Sequence, residues 1–229
     1  MKICAISDMH GYLPYDIDKC DLLLICGDIV PLGLQIDAKR SLRWFSSEFI
    51  PWAHDMPCEK VMFVGGNHDF FLESSKGKVI NALKGHDKIS YLDMTSEEYG
   101  GIKVFGSPLC KIFGRWAFME TQAKQDELFS AALDEIRESG NPVDILITHD
   151  APYGTSDQIL EKCAWYTPDH IGNMALASFV EKLSPRFHLH GHLHSSNHEV
   201  EMIGTTEVYN VSLLSEEYKP VYRPLYLEV

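Results

Sequence analysis

The sequence predicts an α/β fold built around a largely parallel sheet, and three observations predict it. Five short apolar runs, at residues 2–7, 21–26, 60–64, 143–148 and 186–190, have the length and composition of strands. Segments with apolar residues at helical spacing lie between several of them, as in chains that alternate strand and helix. Each run ends in a cluster of Asp, His, Asn or Gly.

The first four runs hold Ile, Val, Leu, Phe or Met almost without interruption, which suits strands covered on both faces. The run at 186–190 is weaker and is placed partly by the histidines that follow it. Residues 38–50 put Leu42, Phe45 and Phe49 on one helical face, and Pro51 is expected to stop that helix. Residues 124–138 do the same with Leu128, Ala131, Ala132, Leu133 and Ile136, and residues 174–183 form a third helix. Other segments read as antiparallel. Gly100-Gly101 divides residues 97–105 into a hairpin, and Gly204-Thr205-Thr206 separates residues 199–203 from 207–213. Residues 220–229 add an edge strand in which Pro224 limits pairing. No internal repeat, low-complexity tract or linker divides the chain. A single domain over residues 1–229, with a second sheet, is expected.

Composition narrows the function. The chain of 229 residues is 45% hydrophobic, enough for a substantial core. No apolar stretch approaches the ~20 residues of a spanning helix, so no membrane partner is expected. A strand beginning at Lys2 leaves no room for a signal peptide, and the expected location is cytoplasmic. Cys4, Cys20, Cys26, Cys58, Cys110 and Cys163 form no C-x-x-C pair, and several sit inside apolar runs. They read as buried thiols. Asn210-Val211-Ser212 matches a glycosylation acceptor, which means nothing without export. A formal charge of −13 without a Lys/Arg cluster argues against a nucleic-acid partner.

The chemistry lies at the ends of the runs. Asp8-Met9-His10 follows the first, Gly27-Asp28 the second and Gly65-Gly66-Asn67-His68-Asp69 the third. Thr148-His149-Asp150 follows the fourth, and the fifth runs into His190-Gly191-His192-Leu193-His194. Parallel strands bring such clusters to one edge, where open α/β sheets place their ligands. Carboxylate, imidazole and amide oxygen together suit Zn, Mn or Fe, and the donors are too many for one ion. Two divalent metal ions are expected.

These motifs, D-x-H, G-D, G-N-H-D, H and G-H-x-H in order, resemble the calcineurin-like metallophosphoesterases over nearly the whole chain. Gly106-Ser107-Pro108 and Trp116-Ala117-Phe118 resemble the branch of the metallophosphoesterase-domain brain proteins, related to class III cyclic-nucleotide phosphodiesterases. The resemblance implies a four-layer α/β/β/α sandwich with two mixed sheets. It implies one ion on Asp8, His10, Asp28 and His194, and another on Asp28, Asn67, His149 and His192. Asp28 would bridge them, and a water shared by both ions would attack phosphorus. His68 would be the catalytic residue, stabilising the phosphoryl group or protonating the leaving oxygen. The substrate implied is a small phosphate ester: a phosphodiester, cyclic nucleotides included, or a phosphomonoester. A nuclease and a non-catalytic metal-binding scaffold are the alternatives.

One departure stands out. Many family members carry an acidic residue three positions after Asp28 to orient the catalytic histidine, and some an arginine soon after. Pro31 stands there in this chain, followed by Leu32-Gly33. His188 and His190 are expected to pack in the core or behind the ligands, because Gly191 ends their strand. His54, His86, His170 and His198 belong to no motif. Asp150 either supports a ligand imidazole or begins a loop. Lys111, Arg115 and Arg43 are expected as solvated charge rather than phosphate contacts. Trp116, Phe113 and Phe118 either stack a base or pack as core and lid.

Overall fold

A computed structural model describes residues 1–158 and 170–229; Cys163 lies outside the described residues. In the first sheet β1 (Lys2–Ile6), β2 (Leu22–Ile25), β3 (Lys60–Phe63) and β4 (Ile89–Tyr91) run parallel, and β13 (Leu225–Glu228) closes the edge antiparallel to β1. The order is β13-β1-β2-β3-β4. The strand expected at 220–229 is thus real, and Pro224 stands just before it.

The inner strands of the second sheet, β6 (Ile102–Ser107), β9 (Ile145–Thr148), β10 (Phe187–His190) and β12 (Thr206–Asn210), are parallel. The edges β5 (Thr95–Tyr99) and β11 (Glu201–Ile203) are antiparallel and belong to the two expected hairpins. The order here is β11-β12-β10-β9-β6-β5. A short parallel ribbon of β7 (Cys110–Lys111) and β8 (Met119–Glu120) stands apart.

The continuous apolar runs exist because both faces of each sheet are covered. Ile3, Ala5, Leu22 and Leu24 face Val104, Ile145, Ile147 and Leu189 between the sheets. The alternate residues Cys4, Ile6, Leu23, Ile25, Val61 and Phe63 pack beneath the helices of the first sheet. Those helices are α1 (Ala38–Trp44), α2 (Ile50–Asp55), α3 (Phe70–Ser74) and α4 (Lys76–Ala82). On the far side α5 (Gln122–Ser139) and α6 (Met174–Leu183) cover Phe105 and Leu146 through Phe129, Leu133 and Phe179. Thr121 caps α5 by accepting from the Lys124 N–H, Asn173 caps α6 by accepting from Leu176, and Gly140 ends α5 at φ 65°. The architecture is a four-layer α/β/β/α sandwich.

Pro51 does not stop its helix. Residues Phe45–Phe49 form a π-helical turn, in which the Ile50 N–H reaches back to the Phe45 carbonyl. Pro51 then falls in the first turn of α2, where its fixed φ suits the helix and the missing N–H costs least. The continuation buries Trp52 beside Phe45, Phe49 and Phe63. Each such ring contributes about 2 kcal/mol on burial, more than the weakened ladder costs.

Candidate metal centre

Strands β1, β2 and β3 end side by side, and the ends of β9 and β10 meet them from the second sheet. A parallel bridge between Ser7 and Ser212 ties the two sheets at this rim. The Cys26 carbonyl accepts from His149 Nδ1 at 2.9 Å, and the Leu189 carbonyl accepts from the Cys26 thiol at 3.4 Å. These contacts cross from one sheet to the other, so the clusters that follow the strands face each other.

Asp28 lies at the middle. Its Oδ2 is 3.6 Å from His10 Nε2, 3.4 Å from His149 Nε2 and 3.9 Å from His68 Nε2. Its Oδ1 accepts from the His68 backbone N–H at 2.8 Å. Asn67 Oδ1 lies 2.9 Å from His149 Nε2. Asp8 Oδ1 lies 3.2 Å from His194 Nε2, while both Asp8 oxygens accept from the His192 backbone N–H at 3.2 and 3.0 Å. Among the described residues, three overlapping trios therefore offer donor atoms mutually within 4.8 Å: Asp8-His10-His194, His10-Asp28-His68 and Asp8-Asp28-His149. The His192 ring falls outside these trios and packs against His149, at 5.1 Å between centroids.

Sharp turns hold these side chains. Asp8, His10, Asp28 and His192 have φ of 54°, 42°, 52° and 70°. Side chains other than glycine adopt that region at a cost of roughly 1–2 kcal/mol each, and such strain concentrates at functional sites. Two glycines permit the close approach. A Cβ on Gly66 would overlap Asp28 Oδ1, and one on Gly191 would overlap Asp8 Oδ2. Gly66→Ala is expected to displace Asp28, lowering stability by about 1–3 kcal/mol and depleting bound metal. Urea melts and elemental analysis check this, and a native melt with native metal content would refute it.

Charge is balanced inside the protein. Burial alone would raise both carboxyl pKa values, but His194, His149 and His10 hold Asp8 well below its usual range. His149, His10 and His68 do the same for Asp28. Burial lowers His149 and His194, yet Asp28 lifts His149 to about 10 and Asp8 lifts His194 to about 9. Without metal, protons on these two rings fill the role of cations. His10 differs, since burial pushes it down to about 4. Both of its ring nitrogens are buried without a hydrogen-bond partner among the described residues. An orphaned imidazole of that kind costs about 1–3 kcal/mol, which a metal ion removes. The residues present therefore fit divalent cations. His149 supports this, because once the ring is neutral, donating Nδ1–H to Cys26 leaves the Nε2 lone pair for a cation.

The remaining expectations divide. His188 and His190 are fully buried in β10, with His188 Nε2 on the Thr148 hydroxyl, 2.9 Å away. His54 and His86 pair with each other on the surface. Asp150 accepts from the Lys111 backbone N–H and the Asn173 amide, which ties loops together. Lys111 Nζ donates to the Ile171 and Gly172 carbonyls, whereas Arg43 and Arg115 are exposed. Phe118 is core, but Trp116 lies on His68 at 4.6 Å and Phe113 on His192 at 5.1 Å. Three neighbours escaped the sequence reading. Ser212 donates to Asp8 Oδ2 at 2.7 Å, Tyr218 sets its ring edge-on to His10, and Gln35 bonds to His68. Only Ser212 had a signal, because it follows the end of β12, a strand parallel to β10.

Comparison with known proteins agrees with this geometry. The sequence is 26% identical to human metallophosphoesterase domain-containing protein 1 over 250 aligned positions, covering 100% of this chain and 71% of that protein. Among solved structures, a protein of Thermus thermophilus superposes with a TM-score of 0.63 at 15% identity, over 91% of this chain and 88% of the other. A phosphopantetheinyl hydrolase of Mycobacterium tuberculosis gives 0.58 at 14% identity, over 95% and 90%. The calcineurin-like phosphoesterase family itself matches residues 1–196. With its motif residues gathered at one rim of the matching fold, the chain belongs to the calcineurin-like phosphoesterase family.

Proposed function

We propose that this rim is the active site of a dinuclear metal-dependent phosphoesterase, within one domain spanning residues 1–229. The observation that carries the reading is Asp28 Oδ2, which faces His10 on one side and His149 on the other. A carboxylate placed between two donor groups has an oxygen to offer each of two cations. Asp8, His10, Asp28 and His194 would hold one ion. Asp28, Asn67, His149 and His192 would hold the other. The donor set suits Mn, Fe or Zn. Bound there, such ions would supply positive charge for the phosphoryl oxygens and lower the pKa of a water.

The chain's own residues do the rest. His68 is only partly buried, so it meets both the carboxylate and an incoming ester. Burial, only partly opposed by Asp28, lowers its pKa. It stabilises the phosphoryl group or delivers a proton to the departing oxygen. Phe113, Trp116 and Tyr218 stand around the histidines and offer apolar faces to the organic part of the substrate. A small phosphodiester, cyclic nucleotides included, is the first substrate class and a phosphomonoester the second. The net charge of −13 disfavours the nuclease alternative, and an intact His68 disfavours a non-catalytic scaffold. Cys4, Cys20, Cys26, Cys58 and Cys110 are buried free thiols. They suit a reducing, cytoplasmic setting. No helix among the described residues is long and apolar enough to cross a membrane.

Elemental analysis and a substrate panel with added Mn test the proposal together. His68→Ala is expected to slow hydrolysis by roughly 10²–10⁴-fold while metal content stays native. An unchanged rate removes His68 from the reaction, and flat rates across metals and substrates sink the enzyme.

A further inference from the structure

We infer that Gln35 is the positioning residue for His68, taking the place that an acidic side chain would occupy. The inference rests on the proposed function for the role of His68, but the contact stands on its own. Gln35 Oε1 faces His68 Nδ1 in a hydrogen bond. An amide oxygen only accepts, so this bond puts a proton on Nδ1 and fixes the ring plane. The opposite edge, Nε2, is then the one turned toward Asp28 Oδ2, 3.9 Å away.

The segment carrying Gln35 is itself anchored. Leu34 N–H donates to the Pro31 carbonyl and Asp37 N–H to the Leu34 carbonyl, each at 2.8 Å. The Ser41 hydroxyl donates to the same Leu34 carbonyl at 2.7 Å. Asp37 caps α1, so the turn is fixed at both ends. Pro31 packs so closely against Gly11 that a Cβ there would meet Pro31 Cγ at 2.6 Å. Trp116 presses on the His68 ring. Ring tilt and edge are thereby set by a tryptophan face and a neutral amide. Asp69, the adjacent acid, is not an alternative. Its carboxylate is fully occupied by the backbone N–H groups of Ile29, Val30 and Gly66.

A neutral partner has a chemical consequence. The Gln35 oxygen accepts the same Nδ1–H whether the imidazole is neutral or charged, so ring orientation is independent of its charge. An acidic partner instead favours the charged form.

The test pairs Gln35→Leu, which keeps bulk without an acceptor, with Gln35→Glu, which restores one. Nitrogen NMR of the His68 ring, assigned by its loss in His68→Asn, reads the tautomer with no substrate present. Wild type and Gln35→Glu are expected to carry the proton on Nδ1, and Gln35→Leu to show mixed tautomers. In the metal-loaded protein Gln35→Leu is expected to lower kcat by about 10–100-fold, the usual scale for a residue acting through its neighbour. KM should change little, alkyl leaving groups should suffer more than p-nitrophenolate, and Gln35→Glu should recover most of the rate. A tautomer unaffected by Gln35→Leu overturns the inference whatever the rates. If wild type shows no metal-dependent turnover while the tautomer follows residue 35, the enzyme reading fails and the positioning contact stands.

Discussion

Replacing Asp28 by Ala is expected to lower bound metal from the proposed two ions per chain to fewer than one and to slow the proposed ester hydrolysis by about 10³-fold or more. The size follows from position. Among the described residues, Asp28 is the carboxylate within reach of His10, His68 and His149 together. Its loss removes a donor from both proposed ions, and several kcal/mol of charge stabilisation disappear with them. Asp28→Asn separates charge from shape, since the amide keeps an oxygen for the His68 N–H. It should still lose most of the rate. Asp8→Asn affects one proposed ion only and should leave about one per chain. A fully loaded, fully active Asp28→Asn protein would overturn the shared-carboxylate arrangement.

Removing metal is expected to reverse the pH dependence of stability above neutrality. His149 and His194 are raised from the ordinary 6.5 to about 10 and about 9. Their contribution is complete below pH 6.5 and is lost as pH climbs through those values. Asp8 and Asp28 are depressed, so theirs is complete above the ordinary 3.8 and is lost as pH falls. Chelated protein should therefore be most stable between these limits and weaken toward alkaline pH. The slope can reach about 1.4 kcal/mol per pH unit for each proton released. Metal-loaded protein is expected to behave oppositely, because ligation by these imidazoles would need them neutral and rising pH removes the competing protons. Urea midpoints with and without chelator at several pH values check this. Curves that remain parallel would show that the ions do not replace those protons.

Much of the fold was legible because its causes are local. Strands covered on both faces leave uninterrupted apolar runs, and Gly100-Gly101 and the residues after Ile203 mark hairpins without any tertiary knowledge. The meeting of the strand ends was legible too, since parallel strands send their following residues to one rim. What those side chains ligate remains part of the proposal. Contacts set by the path of loops were not legible. Gln35 precedes His68 by 33 positions in a turn with no periodic signature. Tyr218 reaches His10 from a turn beyond the second sheet. Pro51 misled because its effect depends on the π-helical turn before it, which composition does not announce.

The left-handed backbone at Asp8, His10, Asp28 and His192 bears on how this centre could be reproduced elsewhere. A graft that copied the side chains alone onto another α/β scaffold would aim them along ordinary strand directions and miss. What must be transplanted is the set of bends, with Gly66 and Gly191 leaving room beneath them. In that sense the chemistry is inscribed in the main chain before any donor atom is chosen.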